Sequence, residues 1–228
     1  MLTPPAYAGN EEHVDDPHYT ASGFFDIHVC HWPDRSPFYM ALYRTEQIND
    51  IESVIIKGAN GKIIGELDPA RFKIRKHKNK PLQKMMINQL PIPDDKIDGW
   101  FIAEVQLKNG ERHVARDMVI HQYLQLVSGN YPEPGAEDIP MPRMMHWHDV
   151  DGAYWYKVFI RDMWNDEKLI YSSQLLPFPE HELPEGVLEP GGSYSWKVQA
   201  RDAKYDVELG EFNAGSQSRW IEFSVSDD

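Results

Sequence analysis

Two histidines stand two residues apart in His146-Trp147-His148, and Met141, Met144 and Met145 lie just before them. On an extended strand, residues i and i+2 share a face. With Trp147 turned inward, both imidazoles project outward together. Imidazole and thioether are ligand types that suit copper and related transition metals, so His146 and His148 form a candidate metal pair. A related spacing occurs at Asp26, His28 and Cys30, with His31 adjacent. Neither cluster has the repeated Cys/His pairs of a structural zinc site. Solvated histidines and packed methionines are the simpler account, and no cofactor is expected.

Cys30 is the single cysteine, so no intrachain disulfide can form. As a nucleophile it would need a base, but its sequence neighbour His31 points to the opposite strand face. A small buried thiol is the default. No Ser-His-Asp order, Gly-rich phosphate loop or zinc-protease helix signature is visible, and the chain reads as non-catalytic. Asp149-x-Asp151-Gly152 has the opening of a calcium loop without its downstream Glu, and a turn explains it.

Arg71, Lys73, Arg75, Lys76, Lys78, Lys80 and Lys84 form the one basic run. Phe72 and Ile74 alternate with its first cations, which describes an ordinary edge strand kept soluble by charge. The functional alternative is a polyanion or acidic-partner site at Arg71, Lys73 and Arg75. Up to Gly135 there are 15 Lys+Arg against 18 Asp+Glu, and from Ala136 onward 8 against 18, in a chain of net charge -13. Phosphate backbones require clustered cations, so nucleic-acid binding is not expected. One copy's basic run could instead meet another copy's acidic half and assemble head to tail.

These residues need elements to hold them, and the pattern is β throughout. The run 24–30 alternates at period two, followed by strands expected at 38–43, 51–56, 71–75, 84–90, 100–107 and 113–121. Asn60-Gly61 and Asn109-Gly110, each between apolar runs, are hairpin signals. No segment has a helical period, and no run of about 18 apolar residues would span a membrane. The stretch 128–142 holds Gly129, Gly135 and four prolines, which suits a semi-rigid linker. The expectation is an all-β chain of two tandem antiparallel β-sandwich domains. An N-terminal arm covers 1–20, a first domain 21–127, a linker 128–141 and a second domain 142–228. The N-terminus shows no charged n-region or apolar h-region, so a signal peptide is not expected in this chain.

The second domain resembles bacterial fibronectin type III domains. Trp147 follows Pro142 as the core tryptophan of the second strand would, and residues 154–160 look like the third strand. Leu188-x-Pro190-Gly191-x-x-Tyr194-x-Trp196-x-Val198-x-Ala200 is the most specific match, and Ile221, Phe223 and Val225 fall on the closing strand. The resemblance implies a tyrosine corner at Tyr194, with its hydroxyl bonded to backbone near Leu188. The first domain looks similar to bacterial immunoglobulin-like domains. Together they imply adhesion, spacing or partner recognition outside the cell, at the cell surface or in the periplasm, and no catalytic residues.

In the resembled fold, the strands of residues 154–160, 194–200 and 220–225 share one sheet. If Tyr156, Val158, Trp196 and Ile221 face the core, then Trp155, Phe159, Lys197 and Trp220 share the outer face. Grouped exposed aromatics mark interfaces, so these four are the candidate partner-binding residues. The partner is another protein or a further copy of the chain. A carbohydrate-binding module using the same rings is the second reading, and metal handling by His146 and His148 is the third.

Overall fold

The computed structural model describes residues 16–75, 82–202 and 212–227. Lys76, Lys78 and Lys80 of the basic run lie outside them. The described chain is all-β, with a single 3-10 turn at Ile48–Asp50. It divides into unit 1, residues 1–28 and 38–121, and unit 2, residues 29–37 and 122–228.

Unit 1 carries β1 (Tyr19–Thr20), β2 (Gly23–His31), β3 (Phe38–Thr45), β4 (Ile51–Lys57), β5 (Ile63–Leu67), β6 (Phe72–Arg75), β7 (Gln83–Pro91), β8 (Gly99–Leu107) and β9 (Arg112–Val119). One layer runs β2-β3-β7-β6 and the other β5-β4-β8-β9. Period-two patterning builds this core. On β8, Phe101, Ala103, Val105 and Leu107 are buried while Trp100, Ile102, Glu104 and Gln106 turn away. On β4 a register shift between Ile51 and Ser53 lets Ile51 and Val54 both face inward, as a bulge does. Both Asn-Gly hairpins form. Gly61 adopts φ 78° and Gly110 φ 90°, a region that glycine enters without a Cβ clash.

β2 departs from the expected alternation. Every residue from Phe24 to Cys30 is buried, the polar Asp26 and His28 included. The two polar side chains face each other, with His28 Nδ1 3.3 Å from an Asp26 carboxylate oxygen, which lets both leave water. Nearby, the fully buried Asp117 accepts from the Ile27 amide at 2.8 Å and pairs with His18 Nε2 at 3.0 Å. The other His18 nitrogen meets Asp16 at 2.6 Å.

Unit 2 carries β10 (Ala136–Ile139), β11 (Met144–His146), β12 (Trp155–Asp162), β13 (Lys168–Ser172), β14 (Glu180–Glu182), β15 (Ser193–Arg201), β16 (Ala214–Gln217) and β17 (Ile221–Val225). β15 is central. It pairs antiparallel with β12 along eight residues, and with β16 and β17 along its other edge. β11 and β14 form the facing two-stranded layer. Between the layers lie Met145, Trp147, Tyr156, Val158, Trp196 and Val198. Trp147 meets Tyr156 edge-on at 5.4 Å and Trp196 at 6.3 Å. The Glu189 amide donates to the Tyr194 hydroxyl at 2.8 Å, which is the backbone tether expected one residue upstream.

Three features differ from the reading of two contiguous antiparallel domains. Residues 29–31 of β2 belong to unit 2, where they pair in parallel with β16. Residues 136–139, inside the stretch read as linker, form β10 and pair in parallel with β17. Trp147 lies just beyond β11 rather than within it, although its ring is buried as expected. Parallel pairing joins segments far apart in sequence and leaves no hairpin turn to announce it. Cys30 is buried and in no disulfide.

Candidate binding face

The outer side of the β12–β15 sheet is built by strand parity. Tyr156, Val158 and Ile160 on β12 are buried, as are Tyr194, Trp196, Val198 and Ala200 on β15. Trp155, Lys157, Phe159 and Arg161 therefore turn outward, opposite Arg201, Gln199, Lys197 and Ser195 respectively. Phe159 and Lys197 are direct cross-strand partners. Trp220 arrives from the segment just before β17.

The structure brings three of the four expected contact residues together. The Lys197 ammonium lies 5.8 Å from the centroid of Phe159 and 4.9 Å from that of Trp220. It donates to Gln217 Oε1 at 2.9 Å. Trp155 shares the face, but stands four residues along β12 from Phe159, about 13 Å at the usual strand rise. The missing member is Trp32, whose ring lies 6.0 Å from the same ammonium. Residues 29–37 belong to unit 2, and the parallel pairing of Ser216 with His31 brings Trp32 to this side. No local signal in the sequence connects Trp32 to Lys197, because the contact follows from that long-range pairing.

Each ring of the cluster carries a cation. Arg161 lies 3.8 Å over Trp220, Lys157 5.7 Å from Phe159 and Arg35 5.9 Å from Trp32. Further along the face, Arg201 lies 4.8 Å over Phe212. Such contacts are each worth about 0.5–2 kcal/mol, more when desolvated. Burial, reinforced by the neighbouring Arg161 charge, pushes the Lys197 ammonium down to about 8 from 10.5. At neutral pH it remains charged.

This cationic surface sits on an acidic unit. Of the described Lys and Arg of unit 2, Arg35, Lys157, Arg161, Lys197 and Arg201 gather here, leaving Arg143, Lys168 and Arg219 elsewhere. On the facing layer, Met145 is fully buried and pairs with His181, while the flanking pairs Met144–Glu182 and His146–Glu180 turn outward.

The candidate metal pair is placed differently. His146 and His148 are both exposed on one side of Trp147, as the spacing implies. The His146 ring stacks on Tyr131 at 5.0 Å and 8°. His148 packs over Gly129 so closely that a Cβ there would come 2.5 Å from its ring. The rings border a cavity of about 670 Å³ that Glu133 and Arg219 also line. Among the described residues no group of three His, Cys, Asp or Glu side chains is arranged to hold a metal.

The basic run is only partly described. β6 ends its layer and pairs with β7. Arg71 and Lys73 are exposed, and Arg71 lies 3.6 Å from Asp68. Arg75 is the last residue of β6.

Unit 1 contains a hydroxyl–imidazole–carboxylate chain that the sequence did not announce. Tyr39 and His121 Nε2 are hydrogen-bonded, and His121 Nδ1 meets Asp98 at 2.7 Å. The Asp98 carboxyl is held below its ordinary value, chiefly by the His121 amide that donates to it. A catalytic hydroxyl must reach its substrate, whereas Tyr39 is fully buried. The arrangement ties the end of unit 1 to its core.

Among the described residues, no helix is long and apolar enough to cross a membrane. No protein-family model and no curated protein matches the chain. Several solved structures resemble it at low identity. Dimeric latent PorU from Porphyromonas gingivalis is 13% identical, with a TM-score of 0.30 over 96% of this chain and 21% of that one. The mixed-linkage glucan utilization protein SGBP-B of Bacteroides ovatus, in complex with a heptasaccharide, is 11% identical, with a TM-score of 0.23 over 86% of this chain and 43% of that one. A tetra-tandem repeat from the extending region of a large adhesion protein is 11% identical, with a TM-score of 0.25 over 90% and 50%. The chain therefore spans between a fifth and a half of these proteins. Likeness at this level carries no functional argument. The all-β, layered architecture is given by the chain's own strand pairing.

Proposed function

We propose that the chain is a non-catalytic binding and assembly protein of the cell exterior or periplasm, and that it engages a protein partner through the outer β12–β15 face of unit 2. The observation that carries this reading is the Lys197 ammonium set among Trp32, Phe159 and Trp220. Rigid rings with cations on them supply both the desolvated anchors and the charge complementarity typical of interface hot spots. The fibronectin type III resemblance, with the Tyr194 hydroxyl bonded at Glu189, supports an adhesion-type role. The partner is one that presents carboxylates. A glycan stacked on these rings ranks second, because Arg161 already covers Trp220 at 3.8 Å and a sugar would have to displace it.

The test is capture from the source organism's envelope and secreted fractions, comparing wild type with a Trp32→Ala/Trp220→Ala variant shown to be folded. A protein captured by wild type and lost from the variant is the expected outcome. Equal capture by both would overturn the assignment of this face.

A further inference from the structure

We propose that the cavity bordered by His146 and His148 in unit 2 is a saccharide site that takes a short neutral glycan. It shares no residue with the Trp32, Phe159, Lys197 and Trp220 cluster and goes beyond the protein partner proposed there. It also gives a role to the two histidines, for which no three-ligand metal arrangement exists among the described residues.

Backbone pairing builds the site. The Tyr131 amide donates to the His146 carbonyl at 2.8 Å, the His146 amide to the Tyr131 carbonyl at 3.2 Å, and the His148 amide to the Ser128 carbonyl at 2.8 Å. That register sets the Tyr131 and His146 rings flat against each other, 8° apart in plane. It also lays the His148 ring over Gly129, where φ is 64° and a Cβ would clash. Glycine meets both demands. The exposed Tyr131 ring is thus held in place before any ligand arrives, which spares part of the ordering cost of binding.

The wall combines apolar surface, from Leu126, Pro134 and Ile221, with polar groups that are not yet engaged. The Tyr131 hydroxyl, the Glu133 carboxylate and the ring nitrogens of His146 and His148 make no hydrogen bond or ion pair among the described residues. Asn130, also on the wall, has a buried Nδ2 amide with no hydrogen-bond partner there, so the wall is one acceptor short.

A neutral imidazole offers one donor and one acceptor, a phenol offers both, and a carboxylate only accepts. A ligand that satisfies this set must donate and accept at several points, as sugar hydroxyls do. The C–H face of a sugar ring suits the electron-rich face of Tyr131 and the apolar side chains beside it. Charge selects against an acidic ligand, because the cation on the wall, Arg219, is already paired with Asp34 and Glu133 would repel it. The cavity of about 670 Å³ falls within the range of about 300–1,000 Å³ usual for ligand sites. That is room for a short chain of sugar rings rather than a single ion.

The test is carbon–proton NMR of the histidine rings in the full chain, with the two signals assigned from His146→Gln and His148→Gln variants. The probes are cellotetraose, maltotetraose, laminaritetraose and mannotetraose, with tetragalacturonic acid as the acidic comparison, each to about 10 mM. At least one neutral tetramer should shift both histidine signals with a Kd of about 1 mM or below, and the acidic tetramer should bind at least tenfold more weakly. Tyr131→Ala should weaken binding at least tenfold, and Tyr131→Phe should keep most of it, since the ring remains. Circular dichroism establishes that the variants are folded. If Tyr131→Ala is not, Glu133→Gln at the exposed rim takes its place and should weaken binding at least threefold. No shift with any of the neutral tetramers overturns the inference. So does binding that leaves both histidine signals in place, binding as tight to the acidic tetramer, or binding that these substitutions do not weaken. None of these outcomes bears on the capture of a protein through Trp32 and Trp220.

Discussion

The guanidinium carbon of Arg161 lies 3.8 Å from the ring centroid of Trp220, on the far side of the sheet from the core tryptophan Trp196. Arg161 also donates to Glu167 at 3.0 Å, so the cation is shared between the indole and a carboxylate. Trp220 in turn faces Lys197 at 4.9 Å. One indole thereby organises two cations, and it links the stability of the face to its capacity to bind.

Replacing Trp220 with Ala should therefore separate two quantities. Partner affinity should fall at least tenfold, as for a hot-spot aromatic. Loss of two partly exposed cation–π contacts should cost unit 2 about 1–2 kcal/mol. Trp220→Phe keeps a ring in place and should recover most of both. Calorimetric melting and titration with the captured partner measure the pair.

Lys197 predicts a pH dependence whose sign is set by its lowered value. Below about 8 the amine is protonated in both folded and unfolded chains, and the cost of holding a charge there is fully felt. Between about 8 and 10.5 the folded chain has released the proton and the unfolded chain has not, so stability rises with pH in that window. Lys197→Met should be at least as stable as wild type at neutral pH, with the difference shifting toward wild type by about pH 10. Denaturant titrations at both pH values test this, and a constant difference would refute it. Binding of a carboxylate-bearing partner should weaken as pH passes about 8 in wild type, but not in Lys197→Arg.

Tyr156 is buried beside Trp147, and its hydroxyl donates to Asp149 at 2.6 Å while accepting from the Val150 amide at 2.8 Å. Burial first, and then the Asp149 carboxylate, push its pKa up to about 12. Tyr156→Phe keeps the ring but removes the donor to Asp149 and one of the two acceptors of the Val150 amide, which also reaches Asp149 Oδ1 at 3.1 Å. It should destabilise unit 2 by about 1–2 kcal/mol with no change in near-ultraviolet ring packing around Trp147. Urea unfolding monitored by tryptophan fluorescence would show the loss.

Asp117 makes the corresponding case in unit 1. Its carboxylate serves both the Ile27 amide and His18 from a fully buried position. Asp117→Ala leaves those donors without their acceptor and should cost about 3 kcal/mol. Asp117→Asn, which keeps one carbonyl oxygen, should cost less. Urea midpoints of the two variants give the comparison.

The sequence alone determined the β character, most strand positions and the side-chain parity of β8, β12 and β15. It also determined the two Asn-Gly hairpins. All of these are local. The Tyr194 tether was implied by the fibronectin type III resemblance, whereas a period of two or an Asn-Gly turn can be read within a dozen residues. For the same reason it grouped Phe159, Lys197 and Trp220 on one face, once a sheet containing their strands was assumed. Tertiary structure alone decided that Trp32 joins them, because Ser216 pairs with His31 across most of the chain. It also decided that residues 136–139 pair with β17, that Asp26 and His28 are buried although their pattern reads as solvent-facing, and that Asp117 meets His18. Patterning states which side of a strand is wet or dry, but not which strand lies beside it. The charges that become a surface or a buried pair follow from that second choice.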